Sequence, residues 1–375
     1  MASEFRHVFA LCALPLACSL LLAQSEVGTT AINGTVTDPS GAVIAGAKVT
    51  VKNTDTGLVR ETTTTAAGLY NVTELPVGTY ELTIQQTGFN TAVRSNLTLT
   101  VGTVSTLDVQ LQVGTSTQTI DVTGEAPVVE TSRTQVSTSI SNRQIQELPI
   151  NGRNFLDFTL LSPGVVRDPT RSGDISFGGQ RGTSNSLLID GSDANNAFFG
   201  QSIGRTGTGR NPYSFSEDAV QEFQVNTNGY AAEIGRAGGA VINTITKSGT
   251  NEIHGDVFEF FRDKALNANS WDNNALGRPK RAYHYNQFGG NIGGPIVRNR
   301  AFFFFDYDGQ RNTTPNTVAL GIQPAANDAS GRSVLPALQQ YLASYANSLN
   351  NDVYLGKVDW NLTQNQHVSF RYNAN

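Results

Sequence analysis

The sequence holds only two cysteines, Cys12 and Cys18, and both lie near its start. From Gly28 onward there is none, which excludes a disulfide framework, a thiol nucleophile and a cysteine metal site. Charge is also scarce. Asp, Glu, Lys and Arg make up 15% of the chain and the formal net charge is -5. That is little for a soluble globular surface. It also argues against nucleic-acid binding, which needs clustered Lys and Arg to neutralise phosphates. The four histidines, His7, His254, His284 and His367, have no metal-ligand spacing. No P-loop or dinucleotide fingerprint is present, so neither a metal nor a cofactor is expected.

No apolar run reaches the roughly 20 residues that a membrane-spanning helix needs. The longest, Val8 to Ala23, is interrupted by Pro15 and follows Arg6 and His7. It fits a secretory signal over residues 1–23, cleaved after Ala23. A short buried helix is the plain alternative. An exported chain without cysteines must draw its strength from buried area and hydrogen bonds.

Glycine is abundant, with 37 residues, and turn signals recur at short intervals. Residues 27–113 read as seven strands of a β-sandwich, starting with AINGTVTD and the turn Asp38-Pro39-Ser40-Gly41. In GTYELTIQQ, Tyr80, Leu82 and Ile84 alternate with Thr79, Glu81 and Thr83, giving one dry and one wet face. Residues 114–135 form a polar linker with one β-prone run. Residues 136–249 read as α+β. Ser141 is placed to cap a helix containing Ile145 and Leu148. Asn151 precedes a second helical stretch, GRNFLDFTLL, which Ser162-Pro163-Gly164 stops.

Residues 250–375 change character again, to about five long amphipathic strands. Val358, Trp360 and Leu362 share a face with Tyr354, opposite Lys357, Asp359 and Asn361. Val368, Phe370 and Tyr372 oppose His367, Ser369 and Arg371. In AFFFFDYDGQ, Phe303, Phe305 and Tyr307 alternate with Phe304, Asp306 and Asp308. Aromatic-rich strands with this dyad repeat are the pattern of a membrane β-barrel. In water the same surface would aggregate.

Two resemblances follow from these residues. GTVTDPSGAVIAGAKVTVKNTDTG and GLYNVTELPVGTYELTIQQTGF resemble the carboxypeptidase-regulatory-like sandwich, an accessory module without catalytic residues. LPINGRNF, QRGTSNSLLIDGSDANN and GRAGGAVINTITKSGTNEIHG resemble the plug of TonB-dependent outer-membrane receptors, of the Oar-like branch that carries such a sandwich. Arg181, Gly182, Asp190, Gly191, Gly235, Gly238, Gly239, Asn243, Lys247 and Gly249 carry the plug resemblance.

The resemblance implies a mainly β chain located in the outer membrane. Its order would be signal, seven-stranded sandwich, α+β plug and the first strands, about five, of an incomplete transmembrane barrel. It implies a receptor or transporter, not an enzyme, with no cofactor. Its partners would be outer-membrane lipid, an unidentified ligand and TonB, the inner-membrane energy coupler. Thr119, Ile120, Asp121, Val122 and Thr123 resemble the coupling box that TonB engages by strand addition. Gly235, Gly238 and Gly239 would let the plug backbone approach the barrel wall. Residues 247–251 would be the hinge into the barrel, and Val257, Phe258, Phe260 and Phe261 would begin it near an aromatic girdle.

Ligand contact is expected at a plug apex containing Asp190, Asp193, Asn195, Phe198 and Phe199. A barrel that houses a plug has about 22 strands, so the sequence is expected to be the N-terminal piece of a longer protein. A secreted, carbohydrate-binding sandwich protein is the alternative of another class. Gly200-Gln201-Ser202-Ile203-Gly204 matches a serine-hydrolase motif but lacks its strand-turn-helix context.

Overall fold

A computed structural model describes residues 28–114, 117–121, 136–150, 152–167, 175–195, 215–230, 237–275, 277, 279–280, 282–317, 344–364 and 366–375. The expected signal, Val122, Thr123, Phe198, Phe199, Gly235 and the Gly200–Gly204 motif lie outside these residues.

The first unit is a two-layer sandwich. One layer places β1 (Thr30–Thr37) between β4 (Leu69–Leu75) and β7 (Val104–Thr106), with β8 (Val109–Gln110) also on β1. The other runs β3 (Val59–Thr63), β2 (Lys48–Asn53), β5 (Gly78–Gln85), β6 (Thr91–Leu99) and β9 (Thr117–Asp121). Tyr80, Leu82 and Ile84 are buried, as their alternation requires. They pack with Ile32, Val49 and Val51 from neighbouring strands. The first turn forms because the Asp38 carboxylate accepts from the Ser40 and Ala42 amides, at 2.8 and 2.9 Å. The single seventh strand expected at VSTLDVQLQV is instead two, β7 and β8, both parallel to β1. Between them the Leu107 amide donates to the Asn33 carbonyl.

The second unit is the α+β region that resembles a plug. Its sheet runs β10 (Val136–Ile140), β15 (Val220–Asn228), β16 (Val241–Thr246), β13 (Ser186–Ile189) and β14 (Ser192–Asp193). Every residue of β16 is buried, as befits a central strand covered on both faces. Helix α1 (Asn142–Glu147) begins with the expected cap. Ser141 and Gln144 form a reciprocal capping box. The second helical stretch is a 3₁₀ turn, Phe155–Leu161, capped by Asn154. Phe155, Leu156 and Phe158 are buried, and Phe155 meets Phe215 and Phe223 edge-on at 5.8 and 5.7 Å.

The third unit is one antiparallel sheet in sequence order. It comprises β17 (His254–Asp263), β18 (His284–Val297), β19 (Ala301–Thr317), β20 (Ser344–Thr363) and β21 (Gln366–Ala374). The tight turn at Arg298–Arg300 and the closely paired ends of β20 and β21, Thr363 opposite Gln366, lie at one end of the sheet. Among the described residues β17 and β21 do not pair, so the sheet is an open segment of wall. Its outer face exposes Val257, Ile292, Phe305, Tyr354, Val358, Trp360, Phe370 and Tyr372. Its inner face buries Gln287, Asp306, Asp308, Lys357 and Asp359. Polar-in and aromatic-out is the arrangement that lipid demands of a barrel wall. The inner face is not uniformly polar, because Phe304 and Leu355 join the plug's own core.

Gly34 gives the sandwich a local test. A side chain there would run into the Leu107 carbonyl and the Tyr70 ring. Gly34→Ala is expected to destabilise the sandwich by at least about 2 kcal/mol. Tyr70→Phe, which loses only the bond from the hydroxyl to the Leu107 carbonyl at 2.6 Å, should cost about 1 kcal/mol. Hydrogen exchange at β1 amides in denaturant reads both.

Candidate functional site

The polar chemistry of the chain collects where plug and wall meet. Asp190 and Gly191 form the tight turn between β13 and β14, both with positive φ, 47° and 76°. Asn, Asp and Gly are the residues that tolerate this backbone, so the sequence Ile-Asp-Gly specifies the turn. The turn aims the Asp190 carboxylate at the end of β16. One oxygen accepts from the Thr246 amide at 2.8 Å, and the other from the Thr246 hydroxyl at 2.7 Å. Two cations of the wall close on the same group. Arg371 lies 3.3 Å away and Lys357 3.9 Å away. Arg371 also donates to the Ile189 carbonyl, and Lys357 to the Thr246 hydroxyl.

Asp190 therefore does not stand at a solvated apex. Lys357 pairs with Phe304, only three residues along β19 from the Arg298–Arg300 turn, so the carboxylate sits near the tight-turn end of the wall. The other apex candidates differ from it. Asp193 is exposed, and its carboxylate accepts from the Asn195 amide at 2.9 Å. The Asn195 side chain is spent on Leu187 and Ser186, tying the chain after β14 back to β13. Arg181 and Gly182 open a short 3₁₀ turn, Gly182–Ser184.

The glycines also sort differently from the expectation. Gly238 and Gly239 pack within the plug, where both amides donate to the Ser184 carbonyl. A side chain on Gly239 would strike Asn185, not the wall. The close approach to the wall belongs to Gly249, where a Cβ would run into the carbonyl oxygens of Phe303 and Gly294. Asn243 is buried in the middle of β16.

The hinge touches all three units. The Lys247 amide donates to Ala219 of the plug, and the Asn251 amide to the Asp55 carbonyl of the sandwich, at 2.8 and 2.9 Å. The Asn251 side chain pairs with Asn299 in the first tight turn of the wall. A second sandwich contact joins the Val101 amide to the buried Glu222 carboxylate. Burial pushes that carboxyl up to about 7, against the pull of the Val101 N–H.

Phe258 and Phe260 do not form a girdle. They face inward and hold the Arg153 guanidinium between them, at 4.5 and 4.4 Å from the ring centroids. Val257 and Phe261 keep the outward direction. Arg153 is the functional residue that pattern reading passed over. It lies inside LPINGRNF, and a lone arginine there carries no spacing signal.

The coupling-box candidate splits. Thr119, Ile120 and Asp121 belong to β9, which pairs in parallel with β6 from Thr91↔Thr117 to Ser95↔Asp121. The segment thus closes one edge of a sandwich sheet. Among the described residues no group of His, Cys, Asp and Glu has the arrangement of a metal site.

Removing the Asp190 carboxylate would strand two cations against the wall. Asp190→Ala is expected to destabilise the plug by about 3 kcal/mol. Asp190→Asn, which keeps an acceptor for Thr246, should cost less. Denaturant unfolding of the two variants gives the ranking, and equal, negligible losses would refute the ion-pair account.

Comparison with known proteins places these units. Residues 31–112 match the carboxypeptidase regulatory-like domain, and residues 245–339 the outer membrane beta barrel domain. The TonB-dependent transporter Oar of Myxococcus xanthus is 26% identical over 95% of this chain and 34% of its own length. The probable TonB-dependent siderophore receptor PirA of Acinetobacter baumannii is 26% identical over 65% of this chain and 33% of its own. Among solved structures, the outer-membrane transporter YddB of Escherichia coli superposes with a TM-score of 0.44 at 16% identity, covering 63% of this chain and 32% of that one. The chain thus spans about a third of the length of the curated relatives it matches. It is a homologue of the TonB-dependent transporter Oar, with a carboxypeptidase regulatory-like domain ahead of an outer-membrane β-barrel domain, and it resides in the outer membrane.

Proposed function

We propose that this chain serves a TonB-dependent receptor that takes up a ligand across the outer membrane. The observation that carries the reading is the shared core of plug and wall. Phe304 and Leu355 of the sheet pack among the plug's buried side chains, so the plug occludes the inner face of a lipid-facing wall. Passage of any solute along that face requires the plug to shift. A force applied from the tight-turn side, where the hinge and the Asp190 pairs lie, would move it.

In this reading the boundaries are sandwich at 27–113, linker at 114–135, plug at 136–249 and barrel from 250. The tight-turn end faces the periplasm, as short turns do in outer-membrane barrels. TonB adds a strand to the segment around Thr119–Asp121, whose outer edge has no partner among the described residues. Ligand contacts come from the opposite side, from the long connections and from the stretch after β14 that begins at the exposed Asp193. Asp190 is not part of that contact. The relative PirA is named a siderophore receptor.

Strand addition relies on main-chain hydrogen bonds, so a proline should stop it where an alanine does not. Ile120→Pro is expected to weaken binding of a periplasmic TonB fragment more than tenfold, and Ile120→Ala less than threefold. Surface plasmon resonance on the purified chain makes the comparison. Equal losses for the two variants would show that side chains, not the backbone, are recognised.

A further inference from the structure

A second cluster of charge lies between plug and wall, away from Asp190. A cavity of about 300 Å³ is lined by Ile145, Gln146, Arg153, Glu217, Asp218, Val220, Lys247 and Asp256. Arg153 pairs with Asp218 and lies 3.8 Å from Glu217. Glu217 is 6% exposed. It faces Arg153, Asp218, Asp308 of β19 and Lys247 of the hinge, while Asp218 also faces Asp256 of β17. Asp308 is itself engaged by Gln287, at 2.9 Å, and by Ser216. Asp306, two residues along the same face of β19, is wholly buried.

The charges do not balance. Glu217, Asp218, Asp256, Asp306 and Asp308 bring five carboxyl groups, and Arg153 and Lys247 only two cations. Surplus negative charge on buried groups is costly, and the cheapest relief is to bind a proton. We propose that Glu217 is a proton-operated latch: protonated, it lets the plug close on the first barrel strand and the hinge, and ionised, it loosens that contact. Burial pushes the Glu217 carboxyl up to about 7, and the Arg153 guanidinium works against this. Burial also raises Asp218, again opposed by Arg153.

The sign follows from linkage. The closed seam holds a proton that the open, solvated seam releases at an ordinary carboxylate pKa. Closure is therefore favoured at low pH and weakens as pH rises. The loss runs from about the open-state value up to about 7, then levels off. One coupled proton changes the opening equilibrium by at most about tenfold per pH unit.

The Lys247 amide, bonded to the Ala219 carbonyl at 2.8 Å, is the reporter. Hydrogen exchange of the full chain in detergent micelles would be followed from pH 5 to 8 and corrected for intrinsic rates. Protection at Lys247 is expected to fall steadily to pH 7 and then flatten. Glu217→Gln should remove the slope. Asp308→Asn, which keeps shape but removes a facing charge, should move the flattening to lower pH, and it tests the latch even if Glu217→Gln does not fold. A flat wild-type profile, an unchanged slope in Glu217→Gln, or protection that follows added Mg²⁺ at fixed pH would overturn the proposal.

Discussion

The structure hangs on the Asp190 carboxylate. It takes two hydrogen bonds from Thr246, the last residue of the plug's central strand, and faces Arg371 and Lys357 from two strands of the wall. One anion therefore ties the end of β16 to Lys357 and Arg371, which face each other across β20 and β21. An anion so placed cannot be dropped without leaving cations in a closed, poorly hydrated space. Immediately beyond it the chain leaves the plug, and Gly249 passes between carbonyls of β18 and β19 where no side chain fits.

The plug–wall boundary is thus held by two kinds of contact. Phe304 and Leu355 give it apolar area, which does not titrate with pH. The Asp190 group and the Arg153 group give it charge, which is directional and responds to water entry. Arg153 spans both kinds, with its guanidinium between two phenylalanine rings and paired to Asp218.

The sandwich is not a detached appendage. It meets the plug through Val101 and Glu222, and the hinge through Asp55 and Asn251. It also takes β9 onto its own sheet edge.

Much of this was legible in the amino-acid order, because local rules wrote it. Period-two alternation named the inward residues of β5, β19 and β20, since a pleated strand offers only two faces. The Ser141 cap and the Ile-Asp-Gly turn are set by side chains within three residues of each other. The interrupted apolar run from Val8 to Ala23 pointed to an exported chain, and the aromatic strands to one that faces lipid. Tertiary structure alone decided what lies far apart in sequence. Asp190 read as a loop acid until Arg371, 181 residues later, was folded onto it. Phe258 and Phe260 read as lipid-facing because an aromatic strand gives no sign of which face meets a guanidinium. Gly249, not Gly239, meets the wall, since a glycine records that room is short but not what fills it. Apolar pattern is a property of neighbours along the chain, whereas charge pairing is a property of neighbours in space.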